Sequence, residues 1–572
     1  MRQATGRRTA TLDLALPSVS LSRLRRGNWS ALALAAFLIA LLALVPIASV
    51  GSYLFAGGTA ATWQHLAATV LPEYVANTLW LCLGVGAGVI VIGVGTAWLV
   101  TLHDFPGRRF FEWALVLPLA VPAYVMAYTY TDLLQFVGPV QSWLREAFGW
   151  QKGDYWFPDV RSTGGATAMF ACVFYPYVYL LARAAFIEGA SGMLEAGRTL
   201  GLSARGSFLR ISLPLARPAV VAGTALALME TLADFGTVAY FGVPTFTTGI
   251  YRAWFSLGDH AAAAQLSVVL LGFVMVVLLL ERASRGRARY HDTTGRRRPA
   301  PGRRLPGLAA AAAMLACALP LFLGFLLPAG VLLNMALTEG DAQFGARFLR
   351  LAGNSFTLAA ASALLGMGLA ALLAYSARLS RAAWPHWLNR IVSLGYAVPG
   401  TVIAVGVLIP VTRLDNWLAS LIAGWTGSNP GLLLTGGISV LIYAYLVRFL
   451  SMALQTVESG LAKVTPAMDD AARSLGHGQL AALRRVHLPL LRGSLLTAGL
   501  LVFVDVMKEL PATLVMRPFN FDTLATQAYV LAMDERLAEA STAALAIVCV
   551  GGLPLIAVSR QIARGAVRAT AG

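Results

Sequence analysis

Charge is scarce in this chain. Asp, Glu, Lys and Arg make up 12% of its 572 residues, about half the share of an ordinary soluble domain. Lysine is scarcer still: Lys152, Lys463 and Lys508 are the only three, and none follows a glycine. A phosphate-binding loop needs Gly-Lys-Ser/Thr so that backbone amides and the ammonium group hold the phosphates. The chain therefore has no such ATPase motif. Cysteine is rare too. Cys82, Cys172, Cys317 and Cys549 all fall in apolar segments without Cys-x-x-Cys spacing, so they read as small buried hydrophobes, not a disulfide or zinc framework. The seven histidines (His65, His103, His260, His291, His386, His477 and His487) lie in loops or near the ends of apolar runs. They form no His-Glu-x-x-His or acid–base set, which argues against a membrane-embedded enzyme. No cofactor motif is present, and no metal-ligand set can be named.

Apolar residues are abundant. AVILMFWYC account for 58% of the chain and the mean hydropathy is +0.68. Many windows of 18 or more nearly uncharged residues are long enough to cross ~30 Å of hydrocarbon. The expected fold class is an all-α polytopic membrane protein, since a β-barrel would show short alternating segments. Twelve spans are expected near 31–55, 76–101, 112–135, 165–187, 217–241, 262–280, 307–333, 355–377, 390–412, 431–454, 491–515 and 540–558. The stretch 31–51 is longer than a signal-peptide core and has no convincing cleavage site, so it reads as a retained first span.

The net charge of +17 is not spread as nucleic-acid binding would need. It is concentrated in alternate loops: Arg108 and Arg109; Arg198, Arg205 and Arg210; nine Arg from Arg282 to Arg304; Arg378, Arg381 and Arg390; Arg473, Arg484 and Arg485. The opposite loops are poor, with no Lys or Arg in 56–74 and only Arg252 in 242–261. This bias places both termini in the cytoplasm of a multi-pass cytoplasmic-membrane protein, with lipid and not nucleic acid as its surroundings. Residues 1–30 read as a cytoplasmic tail, 31–281 as a first repeat, and 282–306 as an Arg-rich cytoplasmic linker at an anionic membrane face. Residues 307–560 read as a second repeat and 561–572 as a cytoplasmic tail.

Two sequence pairs identify the repeat. Asn77-Thr-Leu-Trp-Leu matches Asn354-Ser-Phe-Thr-Leu, and Ala120-Val-Pro-Ala-Tyr matches Ala397-Val-Pro-Gly-Thr, both at an offset of 277. Six spans per repeat keep both copies in the same orientation, so the duplication is parallel and not inverted. Between spans four and five, in loop 188–214, stands Glu195-Ala196-Gly197-Arg-Thr-Leu-Gly201, followed by Ile211-Ser-Leu-Pro214. Between spans ten and eleven, in loop 456–489, stands Asp470-Ala471-Ala472-Arg-Ser-Leu-Gly476, followed by Val486-His-Leu-Pro489, at an offset of 275. Each Gly can end an Ala-rich helix in a left-handed cap, and each Pro suits the first turn of the next span. A rigid helix–Gly–helix knob is expected in each copy.

The loop resembles the "EAA" motif (E-A-A-x3-G-x9-I-x-L-P) of binding-protein-dependent importer permeases. The resemblance implies that each knob is a coupling helix seated in one subunit of a separate ABC ATPase, two copies in all, with ATP and Mg on that partner. It also implies an extracytoplasmic substrate-binding protein. Gly197 for Ala, Asp470 for Glu and Val486 for Ile depart mildly from the pattern.

Spans five and eleven carry acids in matched places. Glu230 and Asp234 in one copy, and Asp505 and Glu509 in the other, are each spaced i,i+4, which would put both carboxylates on one helix face. Charge at membrane depth costs at least ~2.5 kcal/mol, so such groups face a cavity or a partner. Two readings stand: a carboxylate-lined pathway that would suit a hard cation, or bonds between helices, with Lys508 neutralising an acid. Tyr175, Tyr177 and Tyr179 have two readings, as a lining of the same cavity or as interfacial and packing aromatics. The stretches Leu228–Pro244 and Asp505–Ala525 resemble fused permeases of iron(III) importers. That implies ferric ion as cargo and alternating access as mechanism, with thiamine and aminoalkylphosphonate permeases as close relatives. A secondary transporter is the remoter alternative.

Overall fold

The computed structural model describes residues 31–55, 60–199, 201–285, 303–338, 345–380, 382–476 and 478–571. The N-terminal tail and most of the 282–306 linker lie outside them. Helix dominates because an apolar run in lipid must satisfy its own backbone N–H and C=O groups. Among the described residues ten helices are long and apolar enough to span a membrane. The pair Arg108–Ala120 and Ala123–Phe148, bent by 91°, is long and apolar enough only when taken together, as a broken span or a re-entrant loop. The twelfth expected segment falls in the helix Leu537–Ala571. The one β pairing among the described residues is a two-residue bridge, His103–Asp104 with Arg303–Arg304.

Spans three, five, nine and eleven depart from their expected bounds at breaks that recur in both repeats. Spans three and nine break at Pro122 and Pro399, inside the repeated Ala-Val-Pro motif. Proline disfavours the helical region for the residue before it, and Val121 and Val398 are extended, with ψ of 115° and 123°. Span nine therefore runs Gly400–Thr426 instead of starting near 390. Spans five and eleven stop at Ala233 and Met507, short of the expected 241 and 515. Short helices, Gly236–Tyr240 and Pro511–Met516, follow each stop.

The halves are interlocked. The first spanning helix lies against span nine: a Cβ at Gly406 would press on the Pro46 carbonyl oxygen. Pro46 has no N–H to give the carbonyl of Leu42, and the Tyr443 hydroxyl of the other half donates to it at 2.7 Å. Span seven reaches back in the same way. A Cβ at Gly324 would lie 2.7 Å from the Cys172 carbonyl oxygen and 2.9 Å from Pro118 Cγ. Tyr130 donates its hydroxyl to the Leu323 carbonyl at 2.6 Å.

The asparagines that marked the repeat have matching structural duties. Asn77 Nδ2 donates to the Pro244 carbonyl and Asn354 Nδ2 to that of Asp522, both at 2.9 Å. Each carbonyl immediately precedes a threonine capping box, Thr245/Thr248 and Thr523/Thr526, in which the two side chains satisfy orphan amides reciprocally.

Candidate functional site

The two repeated loops share their backbone design. Gly201 and Gly476 sit in the left-handed region, with φ of 80° and 76°, which a residue with a Cβ adopts only at a cost. A one-turn helix follows each, Ala204–Ser207 and Gln479–Ala482. A five-residue π turn comes next, Phe208–Ser212 and Leu483–His487, starting seven residues after the glycine in both copies. Ile211 and Val486 occupy the fourth position of these turns, half-buried, and Pro214 and Pro489 lie exposed in the first turn of the spanning helices. Glu195, Ala196 and Gly197 fall in the helix Thr163–Thr199, and their side chains lie outside the described residues. Asp470, Ala471 and Ala472 lie in Pro466–Ser474, with Asp470 exposed and Ala472 buried. Leu475, next to Gly476, is 75% exposed.

The approach to the loop differs between copies. In the first, span four runs unbroken to Thr199. In the second, span ten stops at Leu461 and restarts at Pro466. The break frees carbonyls, and Arg378 takes two of them, Leu461 at 3.0 Å and Val464 at 2.9 Å. The same guanidinium reaches Asp469 Oδ2 at 2.7 Å, and His487 Nε2 stands 2.7 Å from Asp469 Oδ1. Burial pushes the Asp469 carboxyl up, but the bond and charge of Arg378, with His487, outweigh that and leave it below the usual value. The positions matching Asp469 and His487 in the first copy are Leu194 and Ser212.

The four intramembrane acids do not share one helix face in pairs. Glu230 and Asp505 lie within their spans, but Asp234 and Glu509 lie past the helix ends. Asp234 has ψ of 136°, and its carboxylate caps the next short helix. Oδ1 accepts from the amides of Thr237 (2.8 Å) and Val238 (3.4 Å), and Oδ2 from the Thr237 hydroxyl (3.1 Å). Glu509 repeats this: Oε1 accepts from the Ala512 amide (2.9 Å), and Oε2 from the Thr513 amide (3.0 Å) and hydroxyl (2.6 Å). An i,i+4 spacing read as one amphipathic face is instead a helix stop followed by a cap, because the first amides of the short helix are orphan donors that attract an anion.

All four acids nevertheless line one cavity of about 100 Å³ between the halves. Glu230 Oε1 accepts from the Tyr396 hydroxyl at 2.6 Å, and Oε2 stands 3.6 Å from Arg448. Arg448 Nη1 also lies 3.3 Å from Glu509 Oε1. Lys508 Nζ pairs with Asp505 Oδ1 at 2.8 Å. The acids thus border a cavity, and each has a bonding partner. Among the described residues no group of three or more His, Cys, Asp or Glu is placed to hold a metal.

Arg448 and Tyr396 were not singled out from the sequence. Arg448 carried a signal, because it is the only charged residue in the expected span 431–454 and intramembrane charge marks function or a buried partner. Tyr396 carried none, since its neighbour across the halves lies 166 positions away.

The family model "Binding-protein-dependent transport system inner membrane component" matches residues 89–289, a stretch that contains the first repeated loop. The chain is 28% identical over 495 residues to Fe(3+)-transport system permease protein FbpB 2 of Haemophilus influenzae, covering 85% of this chain and 89% of that one. It is 26% identical over 487 residues to the ferric transport system permease protein FbpB of Actinobacillus pleuropneumoniae, covering 80% and 66%. The molybdenum transport system permease protein ModB of Escherichia coli is 32% identical over 207 residues, 34% of this chain and 87% of ModB.

Proposed function

This chain belongs to the binding-protein-dependent transport system inner membrane components, multi-pass permeases of ABC importers, and from that premise we propose that it is a fused two-copy permease for iron(III). One observation carries the substrate: the similarity to an Fe(3+)-transport permease runs across 85% of the chain, through both halves. The carboxylate lining of the cavity supports it, because hard cations prefer oxygen ligands.

Power comes from a separate ABC ATPase that binds ATP and Mg. The support is the loop repeated with the same glycine conformation, helix and π turn in each half. Two loops per chain call for two ATPase subunits. The concentration of Arg in alternate loops supports a cytoplasmic side for the knobs and both termini. An extracytoplasmic binding protein delivers cargo to the opposite mouth. The halves then alternate access to the cavity, a two-state element biased from both ends. In this mechanism Glu230 and Asp505 present carboxylates to the path, while Asp234 and Glu509 hold the short helices that wall it.

The test is uptake of radiolabelled iron(III) into proteoliposomes containing this chain and its ATPase, with loaded binding protein outside. Thiamine, a phosphonate and molybdate serve as unlabelled competitors. Uptake that needs the binding protein and ATP, and that resists the competitors, is the expected result. Transport of a competitor in place of iron would replace the substrate and leave the importer class intact. Uptake driven by an ion gradient without ATP would point to a secondary transporter.

A further inference from the structure

The four cavity acids are not bonded alike. Asp234 caps a helix of its own half. Glu509 does the same and also touches Arg448. Asp505 is neutralised by Lys508, three residues along its own chain. Glu230 alone has its recorded partners only in the other half: the Tyr396 hydroxyl and the Arg448 guanidinium. The contact between the halves at this depth therefore includes one ion pair and one hydrogen bond, both made by the same carboxylate.

Arg448 is held loosely for a buried cation. Its ion-pair distances are 3.3 and 3.6 Å, longer than the ~2.7–2.9 Å of a good charge-assisted bond. Its Nε is buried and meets no acceptor among the described residues. Asp415, by contrast, is a buried charge built to stay. It is fully buried and accepts four bonds between 2.6 and 3.0 Å, from the amides of Leu433, Leu434 and Thr435 and from the Thr435 hydroxyl. An incompletely satisfied buried group needs an explanation. One explanation is that it exchanges partners.

We propose that Glu230 and Arg448, assisted by Tyr396, form a latch between the halves in which Arg448 is a tethered cation occupying the carboxylate that a passing cation must use. The inference rests on the importer function proposed above. While Arg448 holds Glu230, the halves are tied and the path is filled. A multivalent cation entering from the mouth competes for Glu230, frees Arg448 to its remaining partner Glu509, and unties the halves. Cargo and conformational change are then linked through one carboxylate, and a neutral solute has no charge with which to release it. In such a two-state element, removing the pair shifts the population away from the tied state whether or not cargo is present.

The experiment measures ATP hydrolysis by the reconstituted permease–ATPase complex, with and without loaded binding protein. Wild type should hydrolyse slowly alone and faster with the binding protein. Glu230→Gln and Arg448→Gln should each raise the rate without binding protein by roughly three- to tenfold. The double variant should rise no further than the larger single effect, because both changes remove one pair. Tyr396→Phe, which deletes only a hydroxyl, should give a smaller rise and serves if Arg448→Gln does not fold. Arg413→Gln is the control: Arg413 also bonds across the halves, to the Tyr53 hydroxyl at 2.7 Å, but away from the cavity, and the basal rate should not change. Wild-type basal rates in Glu230→Gln and Tyr396→Phe, effects that multiply in the double variant, or an equal rise in Arg413→Gln would each overturn the latch. Failure of the wild-type complex to respond to loaded binding protein would instead overturn the importer function, and the latch with it.

Discussion

The two halves build one backbone from two different sets of charges. Both break span three or nine at an Ala-Val-Pro motif, cap a short helix with an acid, close a loop with a threonine box, and turn the repeated loop at a left-handed glycine. Around the cavity the chemistry diverges. Glu230 matches Asp505 and Asp234 matches Glu509, but Arg448 matches Val173 and Lys508 matches Ala233 at the same offset of 275. Each half supplies two of the four acids, and the second half alone supplies both bases. A similar exchange occurs between the helix before each Ala-Val-Pro break, Arg108–Ala114 or Trp384–Ser393, and span four or ten. Glu112 faces Arg183 at 3.4 Å in the first half, where Asn389 donates to Glu458 at 2.7 Å in the second. Main-chain geometry is the shared part of the duplication, and side-chain charge is where the copies have specialised.

The strongest way to break this comparison is at the knobs. Proline fixes φ near −65°, whereas Gly201 and Gly476 need φ near +80°. Gly201→Pro and Gly476→Pro should each cut ATP-coupled uptake by about tenfold or more, and to a similar extent if the two knobs are equivalent. Uptake unchanged in the double variant would end the docking assignment. A smaller effect is expected at Gly400, whose counterpart in the first half is Ala123. A Cβ at Gly400 would lie 2.8 Å from Glu509 Oε1 and 2.9 Å from Arg448 Nη1. Gly400→Ala should therefore cost roughly 1–3 kcal/mol by overpacking, read as a lowered melting temperature in detergent. The matching alanine shows that the backbone itself tolerates a methyl where no ion pair presses against it.

The helical fold, ten of the twelve expected spans and the matching backbone of the two repeated loops were legible in the sequence because they depend on local patterns: apolar length and a Gly followed thirteen residues later by a Pro. The cavity was only half legible. Glu230 and Asp505 stood out as charges in apolar runs. The spacing to Asp234 and Glu509 read as helical because i,i+4 is also the distance from a span's last turn to the cap of the next helix, and only ψ at Asp234 separates the two. The interlocking of the halves was not legible, since it depends on contacts such as Tyr443 to Leu42, 401 positions apart.

That interlock offers a finer test. Tyr443→Phe removes the hydroxyl that donates to the carbonyl Pro46 leaves free, and should cost about 1 kcal/mol, visible as a small loss of thermal stability with uptake preserved. The smallest effect concerns Asp469, a brace the first knob lacks. Its carboxyl lies below the usual value in the folded chain. The stability it contributes is therefore present above the unfolded carboxyl value of ~3.9 and is lost as pH falls through the lower folded value. Asp469→Asn should melt slightly earlier than wild type at neutral pH, and the difference should shrink below about pH 4 and vanish once the pH has fallen through the lower folded value. A difference that persists there would mean the brace is not electrostatic.

The most direct measurement is the number of ATPase subunits in the purified complex, counted by native mass spectrometry or light scattering. Two subunits on one permease chain is the expected result, one for each knob. A stable complex with one ATPase per chain, or with two permease chains around one ATPase dimer, would contradict the equivalence of the two halves.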